Sequence, residues 1–381
     1  MSNFIGTRHE AKADIIVVGG GIAGASVAAH LAAHAKVRLL EMESHPGYHS
    51  TGRSAAVFAT TYGNSIVRAL TCASRPFFFT PPAGFCSTAL VRPRPVLFLA
   101  DTTQREALEH FGPTAFPGDR IEYLTPARAV QYCPILRADE LSGALFYRGP
   151  ADIEVHELHQ GYLRLLKSRG AEFKANTEVL GVERANGEWR VHTPGEVLRA
   201  SIIVNAAGAW AGELGKMARA HDIGLEPRRR TALLIDPPAG LATESWPLVA
   251  DVADRFYLKP DAGLLLLSPC DETLTPACDA QPDELDVAVA VDRLEQATTL
   301  EVRHIRRKWA GLRSFVRDRS PVVGYDPVQP GFFWLAGLGG FGIQTAPALS
   351  ALAAVLVLER EVGGELADLD FDLSALAPAR L

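Results

Sequence analysis

The chain has 381 residues, 48% of them apolar and 22% charged, with a formal net charge of −6. That length fits one large core or, as the better expectation, two smaller ones, and the acidic balance gives no electrostatic reason to expect nucleic acid. Cys72, Cys86, Cys133, Cys270 and Cys278 include no C-x-x-C pair, which argues against a zinc site or disulfide framework and for reduced thiols in a cytoplasmic protein.

The opening stretch MSNFIGTRHEAKAD lacks the apolar segment of a secretory signal. ADIIVVGGGIAGASVAAHLAAHAKVRLLEME then reads as a βαβ unit. Ile15 to Val18 is continuously apolar, as in a strand whose sheet is covered on both faces. An Ala-rich helix is predicted to about His34, and a second strand from Val37 to Leu40. Gly19, Gly21 and Gly24 fit G-x-G-x-x-G: a tight turn, close approach of backbone to a pyrophosphate, and helix-on-strand packing. The helix start at Ile22 and Ala23 offers N–H groups and a positive dipole to phosphates. Glu41 ends the second strand where an acid meets a ribose 2′-hydroxyl, which disfavours NADP.

HSTGRSAAVFATTYG, His49 to Gly63, comes next: small residues and hydroxyls, turning apolar at Val57 and Phe58. Backbone this thin suits a bound flavin dinucleotide more than NAD. Residues 80–149 and 225–313 are richer in proline, with short isolated strands such as PVLFLA, RFYLKP and GLLLLS. Between them, VHELHQGYLRLLKSRG predicts a helix over 155–170, whose His156 and His159 are expected to lie away from the pocket. Asn186-Gly187 joins a hairpin. ASIIVNAAGAWAGEL and GFFWLAGLGGFGIQTAPALSALAAVLVLE each read as strand, glycine turn and helix. The second of these helices would offer its dipole to a reduced flavin. LSALAAVLVL, Leu349 to Leu358, is too short to span a bilayer. The expected fold class is α/β plus α+β. A discontinuous Rossmann-like FAD-binding domain (residues 1–79, 150–224 and 314–381) would carry an inserted, mostly antiparallel substrate-binding domain (residues 80–149 and 225–313).

Four further motifs accompany the first turn: HSTGRSAA; VNAAGAW at Val204 to Trp210; WAGLRSFVRDRSPVVG at Trp309 to Gly324; and GLGGFGIQTAPA at Gly337 to Ala348. Nearly end to end, the chain resembles the FAD-dependent D-amino acid oxidase and dehydrogenase superfamily. GYHSTGRSAA, PPAGFC, RPRP, LHQGYLR, FYLKPDAG and EQATTL are most similar to the bacterial D-arginine dehydrogenases. The resemblance implies non-covalent FAD held by Gly19, Gly21, Ile22, Ala23, Gly24, Glu41 and Met42. It adds His49, Ser50, Thr51, Gly52, Arg53, Ser54, Ala55 and Ala56 from the loop, with Val179, Ala207, Gly208 and Trp210. Arg313, Gly339, Gly340, Gly342, Ile343, Gln344 and Thr345 complete the set.

It further implies that Arg230 and Arg313 grip a substrate carboxylate, with Arg228 or Arg229 the alternatives to Arg230. Tyr62 and Tyr257 would line the pocket, and Gly340 and Gln344 would approach the amine. Hydride would pass from Cα to flavin N5, the imino acid then hydrolysing to a 2-oxo acid and ammonia. Correct placement of a neutral amine suffices, so no general base is required. The resemblance leans towards a quinone or other carrier as acceptor, through which the protein would meet a membrane, while an oxidase that passes the electrons to oxygen stays open.

Three positions depart from the arginine-type enzymes. Val57 replaces a histidine, Ala59 a threonine, and Val96 the glutamate that pairs with the guanidinium of D-arginine. A guanidinium set against valine loses several kcal/mol. The expected substrate is a neutral, hydrophobic D-amino acid. The alternatives are a secondary amine, imino acid or 2-hydroxy acid oxidised over the same arginines, and a flavin-binding protein without activity.

Overall fold

A computed structural model describes residues 11–111 and 120–381; residues 1–10, on which the reading of the N-terminus rests, lie outside the described residues. Five parallel strands form the first sheet in the order Glu172–Lys174, Val37–Leu40, Ile15–Val18, Ile202–Asn205 and Phe332–Ala336, with Val322–Tyr325 antiparallel at the edge. Strand residues alternate between two cores. Ile15, Val17, Leu39, Val204, Phe333 and Leu335 pack beneath the helices Ile22–Leu31, Ser65–Phe79, Val155–Ser168 and Gly342–Val357. Ile16, Val18, Leu40, Ile203, Phe332 and Trp334 face the helix Ala211–Ala218 and the four-stranded sheet that contains the hairpin. Covering both faces is why these strands read as unbroken apolar runs. The hairpin turns at Asn186 (φ 53°) and Gly187 (φ 81°), two left-handed residues as a type I′ turn requires.

A second sheet of eight strands runs Ile305–Phe315, Glu226–Ile235, Leu264–Ser268, Tyr257–Asp261, Leu248–Asp251, Val96–Asp101, Leu141–Tyr147 and Ile121–Leu124. All its pairs are antiparallel except Leu248–Asp251 with Val96–Asp101. A small three-stranded sheet joins Val57–Phe58, Ala151–Ile153 and Val91–Pro93. The fold is thus a Rossmann-like unit carrying an antiparallel insert. The first helix stops at Leu31, three residues short of His34, and continues as a turn. Among the described residues no helix is long and apolar enough to cross a membrane.

Candidate active site

One long cleft runs from the glycine turn to the strand Ile305–Phe315. Gly19 adopts φ 106° and leaves no room for a side chain, since an added Cβ would lie 2.4 Å from the Ala206 carbonyl oxygen. At Gly24 that atom would fall 1.8 Å from the Gly19 oxygen. Gly24 therefore serves the contact of helix with turn and does not line the cleft. Glu41 braces the turn: one carboxylate oxygen accepts from Gly20 N at 2.7 Å and the other from Glu43 N at 2.9 Å.

Two helices aim N-termini at this cleft. Ile22–Leu31 and Gly342–Val357 both lack a side-chain cap and an acid in the first turn, while Gly21, Ile22, Ala23, Gly340, Gly342 and Ile343 line the cleft. Two positive dipole ends fit a ligand with anionic groups. Thr51 joins this cradle through its hydroxyl, which accepts from Ile22 N at 3.0 Å.

The loop after Glu41 is folded on itself and clamped to the far strand. Gly52 N donates to Gly47 O at 2.7 Å, and a Cβ at Gly52 would meet that same oxygen. Ser50 Oγ donates to Leu312 O at 2.6 Å. Arg53 Nη1 donates to Ala280 O and Ala310 O, both at 2.9 Å, and the guanidinium pairs with Asp279. His49, Ser50, Thr51, Arg53, Ser54 and Ala55 reach the cleft; Gly52 and Ala56 do not line it. Glu41, Met42, Val179, Ala207, Gly208, Trp210 and Gly339 also line it. Thr345 is buried with its hydroxyl donating to Phe341 O at 2.9 Å, and Gln344 lies beside it in the helix, off the lining.

Arg230, Tyr257, Arg313 and Gly340 come together in the same cleft. The strand register separates the arginine triplet. Arg230 stands opposite Gly311 and lines the cleft, whereas Arg229, on the other face, pairs with Asp286 at 2.8 Å. Arg228 shares the face of Arg230 but is tied to Glu226 at 2.6 Å. Arg313 lies flat on Gly340, where a Cβ would stand 2.9 Å from its guanidinium carbon, and its Nη1 donates to Tyr62 Oη at 3.2 Å. Tyr62 itself packs edge-on against Phe341 at 5.0 Å. Burial pushes the Tyr257 phenol up, against the opposing pull of Arg313 and Arg230, so it stays protonated at neutral pH.

The remaining pocket residues form a layer behind the cleft and do not line it. Val57 and Val96 pack with Leu248, Ala250, Phe98 and Tyr257 in one apolar cluster. Gln344 is 3% exposed; its Oε1 accepts from Ala59 N at 3.2 Å, and its Nε2 is buried without a partner.

His159 does not line the cleft, but it touches the glycine turn that does. It is buried, its Nε2 donates to Gly20 O at 2.9 Å, and its ring lies against Gly47. Burial lowers its pKa, against the opposing hydrogen bond to Gly20, so the ring is neutral at pH 7. Gly20 is thereby held at its N–H by Glu41 and at its carbonyl by His159. His159→Leu leaves that carbonyl without a partner, a loss of about 1–3 kcal/mol. The expected result is FAD affinity lower by about tenfold or more, read by titrating apoprotein with FAD fluorescence; unchanged affinity would show that the turn does not need this brace. The residue was hidden because its partner is 139 positions distant. Glu213, Leu214 and Met217 also line the cleft unforeseen; their spacing on the helix Ala211–Ala218, straight after VNAAGAW, is the signal that could have found them.

The model of the family described as FAD dependent oxidoreductase matches residues 14–356. The bovine FAD-dependent oxidoreductase domain-containing protein 1 is 30% identical over 179 residues, which span 42% of this chain and only 36% of that protein. Glycine oxidase of Geobacillus kaustophilus (strain HTA426) is 26% identical over 277 residues, 70% of each chain. A crystal structure of glycine oxidase from Geobacillus kaustophilus superposes with TM-score 0.82 at 22% identity, covering 97% of this chain and 99% of that one. Matched over residues 14–356 and built around the glycine turn and two helix N-termini, the chain belongs to the FAD dependent oxidoreductase family, and FAD is its cofactor.

Proposed function

We propose that the protein is a D-amino acid dehydrogenase preferring neutral, hydrophobic side chains. FAD, when bound, supplies the acceptor for the hydride that leaves Cα. The chain's own residues hold the substrate: Arg230 and Arg313 grip the carboxylate, Gly340 lets Arg313 lie close to the cleft, and Tyr62 fixes Arg313 from behind. The product is an imino acid, which water converts to the 2-oxo acid and ammonia. A quinone or other carrier would take the electrons onward. The motifs shared with the bacterial D-arginine dehydrogenases support the stereochemistry.

The observation that carries the side-chain preference is the apolar cluster of Val57, Val96, Leu248 and Ala250 around Tyr257. Asp152 stands directly opposite Val57 in the small sheet, yet its two oxygens are taken by Lys259 Nζ at 2.8 Å and Arg94 Nε at 2.7 Å. Two cations on one carboxylate leave net positive charge beside Val57. A cationic tail reaching past Tyr257 would find hydrocarbon and no free carboxylate among the described residues of this layer behind the cleft.

The test is kcat/KM across D-leucine, D-phenylalanine, D-alanine and D-arginine. D-Arginine is expected to be poorer than D-leucine by about 100-fold, near 2.7 kcal/mol; a preference for D-arginine rejects the reading. A second reading, a small amine such as glycine or sarcosine, draws support from Val57 and Val96 lying behind the cleft lining. Anaerobic loss of flavin absorbance separates the two. Bleaching by glycine or sarcosine alone favours the second, and no bleaching by any of them favours a binding protein without activity.

A further inference from the structure

Arg230 is not free to turn. Its Nε donates to the Asp271 carbonyl oxygen at 2.9 Å and its Nη2 to Glu272 Oε1 at 3.2 Å. A guanidinium has two two-point edges, one made by Nε and Nη2 and the other by Nη1 and Nη2. The first is spent on residues 271 and 272, so the second is left for the cleft that Arg230 lines.

Glu272 is itself held. Arg319 donates from Nη2 to Oε1 at 2.8 Å and from Nη1 to Oε2 at 3.0 Å, a fork-on-fork pair that fixes orientation as well as charge. Arg228 Nη1 donates to the Glu272 carbonyl oxygen at 3.2 Å. Burial opposes the charge on Glu272, but Arg319, Arg230 and Arg313 hold its carboxyl below the usual range. The carboxylate is ionised at neutral pH.

Arg319 sits in a left-handed backbone conformation, φ 59°, with its guanidinium 3.9 Å over the Phe315 ring. From Phe315 a run of ring contacts leads to Phe341 and on to Tyr62, with centroids 6.3 and 5.0 Å apart, and Tyr62 accepts from Arg313. A single half-exposed arginine thus buttresses both guanidinium groups of the cleft, one through a carboxylate and one through aromatic rings.

We infer that Glu272, clamped by Arg319, is a positioning residue that turns the outer edge of Arg230 towards the substrate carboxylate and so sets substrate affinity. This rests on the reading of Arg230 and Arg313 as the carboxylate grip. A competing role is distinguishable by sign, because a carboxylate that merely rivals the substrate for Arg230 would, once removed, let the substrate bind more tightly.

The experiment uses the FAD-loaded protein, with benzoate as a plain carboxylate probe followed in the flavin spectrum and D-leucine as the kinetic substrate. Glu272→Ala is expected to weaken benzoate and raise KM by about tenfold, with kcat changing far less. Glu272→Gln, which keeps an acceptor for Nη2, is expected to recover most of that loss. Arg319→Gln, a change at a side chain 47% exposed, is expected to shift both in the same direction by about threefold. The clamp alone is overturned if Arg230→Met weakens benzoate while Glu272→Ala and Arg319→Gln bind as well as wild type or better. If wild type binds no benzoate, or Arg230→Met and Arg313→Met leave its binding unchanged, the carboxylate grip falls and the clamp with it.

Discussion

Arg313→Met is expected to lower kcat/KM for a D-amino acid by about 100-fold, carried mainly by KM. A charge-assisted contact to a carboxylate contributes about 1.5–3 kcal/mol, and here its loss has two further effects. Tyr62 loses the donor that holds it at 3.2 Å, and Gly340 loses the flat cation that rests on it. Arg313→Lys should recover only part of the activity, since an ammonium cannot engage two oxygens in one plane. The measurement is steady-state kinetics at matched FAD content. Activity within about threefold of wild type in the methionine variant would remove Arg313 from the carboxylate grip.

Gly24→Ala is expected to give protein that purifies without yellow colour. The new methyl would stand 1.8 Å from the Gly19 oxygen and 3.0 Å from its carbonyl carbon, both backbone atoms that cannot rotate aside. Relief requires the helix Ile22–Leu31 to lift from the strand Ile15–Val18, which carries the helix N-terminus away from the cleft. Overpacking of this kind costs about 1–3 kcal/mol and sometimes more, and the stabilisation by bound FAD would vanish as well. The thermal midpoint should fall and should no longer rise when FAD is added. Gly181→Ala is the control: nothing lies within 4 Å of its added Cβ, and colour and midpoint should be retained. A yellow Gly24→Ala protein with wild-type response to FAD would mean that helix and turn can separate without harm to the cradle.

The parallel strands were legible because burial on both faces demands unbroken runs such as Ile15 to Val18, and glycine marks each turn towards the cleft. Asn186-Gly187 was legible for a local reason, since both residues tolerate left-handed backbone. The arginine triplet was not. Alternation puts Arg228 and Arg230 on one face of their strand, but only the partner strand Ile305–Phe315 and the acid Asp286 decide which face meets the cleft. The brace made by His159 was hidden for a similar reason: on its own helix it is one of several buried positions, and its role depends on a carbonyl contributed by another element. Val57 and Val96 were expected to face the substrate, and they stand one layer behind the cleft. Their place behind the lining depends on how Tyr257 packs between sheets, which no local pattern encodes.

That packing has a consequence for divergence. The wall around Tyr257 takes Val57 from the three-stranded sheet and Val96, Phe98, Leu248 and Ala250 from neighbouring strands of the large one, while the glycine turns that cradle the dinucleotide belong to neither. On the proposed reading of this wall as the selector of side chains, it can drift without disturbing the dinucleotide cradle. It must do so through compensated pairs, because each side chain of the wall touches a neighbour supplied by a different part of the chain. On that reading, swapping one valine alone is expected to leave a misfit, and swapping two in concert to give a new appetite.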